Sequence, residues 1–474
     1  MFILSCKRCV NLRYYKDVIK LINAKRSNMA AVGYSFNVNR FISDKSTYFE
    51  SNSPFDSVNL TYEKVESDSD VYEDDEYLYP ESFNNISNLS LHKVISYRDA
   101  IKTDDLENES NSDDLSEIIT SNISDNDLKI RNTEITQLLE RVLRDKVNPK
   151  CSVSLFGSAI NGLWTEGSDL DVCVEIPNVN SRSAIIRNLR RIATVLSPLS
   201  PTRVIQNRFT AKIPILNWKR DYQKRPIKIV DGSLGKQESF DFECESIPSI
   251  DISVNNVLAV ANSILVGTYV SFEPRVRNMI LLLKMWAKSK SINDRSRGTL
   301  SSFAISLMVI HFLQNCSPPI LPSLQDLAFS TNELPNYVAG VDCRFSTDMN
   351  KIRAELNFLS KGKVNSLDDR TLLINFFRYY GWYNVHSQGK PILIRSVDLS
   401  EFNMRYGADM EDPDANLDKS MISNPYLHVD NPFEIGIDVA NISIHQRSRI
   451  TNEFRKAYQS LRAGNTLKSL LNKG

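Results

Sequence analysis

Apolar and polar positions change their rhythm several times along the 474 residues, and the changes mark out the elements. Residues 1–125 hold no sustained apolar period. Asp127 to Lys146 then sets Ile130, Ile135, Leu138, Leu139, Val142 and Leu143 at helical spacing, which predicts an amphipathic helix. Strands are predicted at 152–156, 169–176, near 202–206 and near 211–216, with a helix at 181–196 between the second and third. A β-branched alternating run from Pro248 to Val254 predicts another strand, which carries Asp251. Beyond Asn255 the period is helical, over 255–267, 273–290, 300–313, 324–328, 350–360, 367–381 and 446–463. A sheet followed by a run of helices predicts an α+β chain in three parts: an extension at 1–125, a sheet domain at 126–254 and a helical domain at 255–474.

Composition changes this picture mainly at the start of the chain. Lys and Arg balance Asp and Glu at 57 each, but residues 51–125 hold 19 acidic against 4 basic side chains, so the remainder is net basic. That acidic, Ser/Asn-rich stretch reads as disordered. A solvated spacer is the plainer interpretation, and a tail that binds a partner or mimics nucleic acid is the alternative. Before it, Lys7, Arg8, Arg13, Lys16, Lys20, Lys25 and Arg26 face only Asp17. A basic N-terminal arm is expected; a mitochondrial or plastid presequence has the same composition. Most of the seven cysteines, Cys173 and Cys316 among them, lie in apolar contexts, as reduced thiols of an intracellular protein do. The cytoplasm is the expected compartment, with mitochondrion or plastid as alternatives. Cys6 and Cys9 form a C-x-x-C with no second pair at finger spacing, which argues against zinc. No apolar run reaches membrane-spanning length, so no membrane is expected as a partner.

The chemistry concentrates in Phe156-Gly157-Ser158 and, ten residues on, Ser168-Asp169-Leu170-Asp171. Alternate strand residues share a face, so Asp169 and Asp171 project together. Two neighbouring carboxylates are costly unless a cation lies between them, and hard oxygen ligands suit Mg²⁺. A Gly-Ser turn opening a helix presents backbone N–H groups to phosphate. A bare Asp-x-Asp is common; the Gly-Ser turn at this distance, with strand character on both sides, is what makes it informative. Asp251 offers a third acid, although alone it reads as an ordinary strand-end aspartate. Lys284 and Lys288, i and i+4 on one helix, can reach the same place.

Gly157-Ser158, Asp169 with Asp171, Asp251 and Asn255-Asn256 together resemble the catalytic core of the template-independent RNA terminal nucleotidyltransferases. These are the cytoplasmic-type poly(A) polymerases and terminal uridylyltransferases of the DNA polymerase β-like superfamily. The resemblance continues through Leu282-Leu283-Lys284-Met285-Trp286-Ala287-Lys288 and Gly298-Thr299-Leu300-Ser301-Ser302-Phe303, which look like the family's central helices. Leu372 to Tyr383 resembles its poly(A)-polymerase-associated segment, and Asn431-Pro432-Phe433-Glu434 its nucleotide-recognition loop. The motifs appear in order over about residues 150–460.

This resemblance implies a polymerase β-like sheet domain plus a mainly helical central domain, adding nucleotides to an RNA 3′ end from ATP or UTP. It implies two Mg²⁺ (or Mn²⁺) ions on Asp169, Asp171 and Asp251. Gly157, Ser158, Lys284, Lys288 and Ser302 would hold the triphosphate, and Asn262 the ribose hydroxyls. Phe303 would stack on the base where the family usually has tyrosine. Around the base edge, Asn431 replaces the usual acid, Glu434 is kept, and Ile437 stands where uridylyltransferases often place histidine. Losing that polar contact relaxes discrimination, and an amide at Asn431 could serve either base; adenylyl transfer is expected slightly ahead of uridylyl transfer. A monomer is expected, and the lack of an RRM, KH or finger signature points to a separate RNA-binding protein partner. Two rival readings are a catalytically silent RNA-binding scaffold and a CCA-adding or small-molecule nucleotidyltransferase. The intact acids and lysines argue against the first, and the recognition loop against the second. The charged segment 219–249, with Lys219, Arg220, Lys224 and Arg225, is expected either to contact RNA or to be a solvated loop. The arginines and lysine of 446–463 (Arg447, Arg449, Arg455, Lys456, Arg462) divide between RNA backbone binding and a plain basic face.

Overall fold

The computed structural model describes residues 126–165, 167–199, 203–220, 248–383, 391–398 and 427–472, with the backbone of the short strand Val94–Ile95. The acidic extension, the Cys6/Cys9 pair, the basic arm and residues 221–247, including Lys224 and Arg225, lie outside them.

Helix α1 (Asn126–Lys146) leads into β1 (Ser152–Phe156), a one-turn helix α2 (Ser158–Asn161) and β2 (Leu170–Glu175). Helix α3 (Arg182–Leu196), the hairpin β3 (Arg203–Arg208) and β4 (Ile215–Arg220), and β5 (Ile250–Val254) follow. The sheet order is β1-β2-β5-β4-β3, with only β2 and β5 parallel. Alternation explains its two faces. Leu170, Val172, Val174, Ile250, Ile252, Leu216 and Trp218 are buried in one core with Ile135, Leu139 and Leu143 of α1 and Leu189, Ile192 and Leu196 of α3. The residues in the opposite phase form a polar row directly across four strands: Asp171 opposite Asp251, Asp251 opposite Asn217, and Asn217 opposite Gln206.

The expected strand at 211–216 begins later, at Ile215. The alternation there is genuine, but the Arg182 guanidinium of α3 donates to the carbonyls of Phe209, Ala211 and Lys212, bending that stretch into the β3–β4 turn. Ile130, assigned to the packed face of α1 by its spacing, is 59% exposed.

A second core is built by α4 (Val257–Phe272), α5 (Pro274–Ser289), α6 (Ser302–Asn315), α7 (Leu324–Ser330), α8 (Met349–Leu359), α9 (Asp369–Gly381), α10 (Ile444–Arg462) and α11 (Leu467–Leu471). The chain turns by 118° between α4 and α5. Pro274 at the first position of α5 and Glu273, which accepts from the Arg275 N–H, make that corner. Trp286 stands edge-on to Phe377 and Phe454, at ring-centroid distances of 4.8 and 5.1 Å, tying α5 to α9 and α10. Among the described residues no single helix is long and apolar enough to cross a membrane.

The basic residues of α10 have local employment. Arg455 donates to the Gly381 carbonyl and lies over the Trp382 ring, Arg449 donates to the Lys290 carbonyl, and Lys456 pairs with Glu453. Arg455 and Arg449 fasten the helix to its neighbours, while Lys456 pairs within the helix itself, uses that composition alone does not reveal.

Candidate active site

Strand β1 delivers the chain to Gly157 at φ +64°, a conformation that side-chain-bearing residues rarely adopt. A Cβ there would collide with Asp171 Oδ2, so glycine is required for both the turn and the close approach of the carboxylate. The Gly157 N–H donates to Ser263 Oγ at 2.8 Å. That corrects the expectation that this N–H faces phosphate: it anchors the turn to α4 instead, while Ser158 opens α2.

Asp171 on β2 and Asp251 on β5 face each other across a parallel register, and Asp169 precedes β2 by one residue. Desolvation, with Asp251 and Asp169 alongside, pushes the Asp171 pKa up to about 7. Desolvation and Asp251 also raise Asp169, against opposing contributions from Ser249, which is hydrogen-bonded to it, and from Arg208 and Lys288. From α5, Lys284 answers Asp171. Burial lowers its pKa to about 8, although Asp171 favours its charged form, and its ammonium donates to the Leu163 carbonyl at 3.3 Å. The structure thus brings Gly157, the three acids and both lysines into one neighbourhood, which spacing in sequence could only suggest.

Asn262, on α4, is buried with its Oδ1 lacking a partner among the described residues. An orphaned buried acceptor is costly and invites a donor from a bound molecule. Ser302 opens α6, its hydroxyl donating to Asn293 Oδ1, while the half-buried Phe303 packs on the helical core. Local contacts place these two; the acids do not.

The recognition loop is closed on itself. Asn431 Oδ1 accepts from the N–H groups of Phe433 and Glu434, its Nδ2 donates to Glu434 Oε2 at 2.8 Å, and its backbone N–H bonds the Ile437 carbonyl. The Asn431 amide is therefore spent on loop shape, contrary to the expectation that it could serve either base. Burial raises the Glu434 pKa, opposed by Lys212 and by Asn431. Lys212 belongs to the β3–β4 turn, so the loop and the hairpin share one electrostatic neighbourhood.

Among the described residues no three His, Cys, Asp or Glu side chains converge as a finished metal cage. The donor set nonetheless suits a hard divalent cation: three carboxylates in mutual repulsion, one of them held near neutrality by its surroundings. Asp251 has a partner of its own, because Asn217 Nδ2 donates to its Oδ1.

A family model described as "Poly(A) RNA polymerase, mitochondrial-like, central palm domain" matches residues 112–271. Human terminal uridylyltransferase 7 is 32% identical over 326 residues, covering 68% of this chain and 19% of that protein. Rat poly(A) RNA polymerase GLD2 is 29% identical over 341 residues, covering 68% of this chain and 58% of its own length. A crystal structure of the Cid1 poly(U) polymerase with MgGTP bound superposes at TM-score 0.55 and 23% identity, covering 76% of this chain and 98% of that one. The chain belongs to the template-independent RNA terminal nucleotidyltransferases. As a terminal nucleotidyltransferase it has the α+β fold its sequence predicts, and it spans under two thirds of the rat relative's length. Four terminal-nucleotidyltransferase site neighbours escaped the sequence reading: Ser263, Asn217, Arg208 and Lys212. Ser263 was within reach, being adjacent to Asn262. Asn217 becomes visible only when strand pairing sets it against Asp251, and Arg208 and Lys212 only when the fold brings their charges near Asp169 and Glu434.

Proposed function

We propose that this chain extends RNA 3′ ends with ribonucleotides, using ATP slightly ahead of UTP. The RNA 3′-hydroxyl attacks the α-phosphorus, a new phosphodiester forms, the α–β phosphoanhydride bond breaks, and pyrophosphate leaves. The observation that carries this reading is the facing of Asp171, Asp169 and Asp251 on the sheet by Lys284 and Lys288 on α5. Asp169, Asp171 and Asp251 would hold divalent ions, which when bound would supply hydroxyl activation and charge neutralisation on the leaving group. Lys284, at a pKa of about 8, is mostly cationic at neutral pH and is buried, where a charge acts through little screening water. With Lys288 it draws the triphosphate towards α5. Asn262 offers its unpartnered oxygen to a ribose hydroxyl, which favours ribonucleotides. Glu434, in a loop braced by Asn431, faces the base, and Ile437 contributes no polar contact. That apolar position supports adenylyl transfer; the 32% identity to a terminal uridylyltransferase supports uridylyl transfer as the second reading.

Primer extension tests the proposal. A labelled single-stranded RNA is incubated with Mg²⁺ and ATP, UTP, CTP or GTP separately, beside an Asp169→Ala/Asp171→Ala control. ATP incorporation exceeding UTP, lost in the control, is expected. Binding of RNA without extension by any nucleotide would replace the enzyme with a silent scaffold.

A further inference from the structure

We infer that Asn217 is a positioning residue for Asp251, holding one carboxylate oxygen so that Asp251 offers a divalent cation one oxygen rather than two. The inference rests on the proposed metal-dependent site and adds a residue to it. The β4–β5 register sets Asn217 directly opposite Asp251, and its Nδ2 donates to Asp251 Oδ1 at 2.5 Å. The side chain is buried, and its own Oδ1 is buried without a partner among the described residues. Exchanging the amide nitrogen and oxygen would aim a carbonyl at a carboxylate, so the donor orientation is the one the chemistry allows. Asn217 stands in the opposite phase to Leu216 and Trp218, which point into the core, and so shares the face of Asp251 and Asp171. Its buried oxygen without a partner is costly, and the amide makes sense through what it does to Asp251. It fixes the carboxylate without neutralising it, whereas a lysine or arginine there would compete with the cation for the same charge. Partners that orient metal ligands commonly change metal affinity by 10- to 100-fold.

The test is Mn²⁺ binding to the full chain, read by the electron paramagnetic resonance of free Mn²⁺. The binding lost in Asp171→Ala defines the signal belonging to this site. Asn217→Leu keeps the branched shape without the donor and Asn217→Ser keeps polarity with a side chain too short to reach Asp251. Both are expected to weaken Mn²⁺ at least about tenfold, with melting in EDTA near wild type and the nucleotide KM at saturating Mn²⁺ unchanged. Mn²⁺ affinity within about twofold of wild type in both variants, while Asp251→Ala loses the site, overturns the inference and leaves the proposed function standing. Unfolding of both variants in EDTA also overturns it, because the role is then structural. Unchanged Mn²⁺ affinity in Asp251→Ala removes the metal reading of the site itself.

Discussion

Replacing Asp171 by Asn should stabilise the metal-free protein while destroying its activity. The carboxyl of Asp171 is carried from an ordinary value of about 3.9 up to about 7 by desolvation and by its two acidic neighbours. The folded state therefore holds this proton to higher pH than the unfolded chain does. Below about pH 4 both states are protonated and the site costs nothing. As pH rises from about 4 to about 7 the wild type loses stability, reaching roughly 4 kcal/mol above pH 7. An amide of the same size carries no such penalty. Part of the gain is returned, because Lys284 loses the charge that favours its protonated form. A net gain of roughly 2–3 kcal/mol at pH 8 corresponds to roughly 3–4 °C in melting temperature for the compact unit that spans His92–Gly474. The assay is thermal melting in EDTA between pH 5 and 8.5, by circular dichroism. The gap between Asp171→Asn and wild type should more than halve at pH 5, and it should narrow at pH 8 when Mg²⁺ is added. An Asn variant that melts at or below wild type at pH 8, or a gap independent of pH, refutes the reasoning.

Gly157→Ala should lower RNA extension by at least about 100-fold, because the new Cβ displaces the Asp171 carboxylate, with a further ~1–2 kcal/mol for a left-handed alanine; turnover and chemical denaturation separate the two effects. Asn262→Ala should reduce the preference for ATP over dATP while leaving stability unchanged or slightly higher, since an unpartnered buried oxygen is removed; kcat/KM for the two nucleotides reads it. Trp286→Ala should cost about 3–5 kcal/mol in urea unfolding, as the ring wedged against Phe377 and Phe454 leaves a cavity between three helices.

The sheet was legible because each site strand carries two messages in opposite phase. Leu170, Val172, Ile250 and Ile252 declare a buried face, and Asp171 and Asp251 interrupt the other. Helices α5 and α6 were legible through their length and apolar density. What escaped depends on contacts between distant segments. Nothing near Lys212 indicates that Arg182 will claim three carbonyls around it and delay β4. Asn431 reads as an amide free for a base until its own loop closes on it. Asn217 is a polar residue between Leu216 and Trp218 until the pairing register gives it a carboxylate. Asp169 and Asp171 stood out by type and spacing, Asp251 and the two lysines through the family resemblance, and the neighbours of these residues required the fold.

Helix α4 presents Asn262 and Ser263 in succession, one with an unpartnered oxygen and the other holding the N–H of Gly157. The residue proposed to meet the ribose and the residue that anchors the turn beside Asp171 thus sit on adjacent links of a single rod that starts just after β5. A helix that carries both cannot shift at one residue and leave the other in place, so the anchor of the Gly157 turn and the buried oxygen of Asn262 share one rigid support.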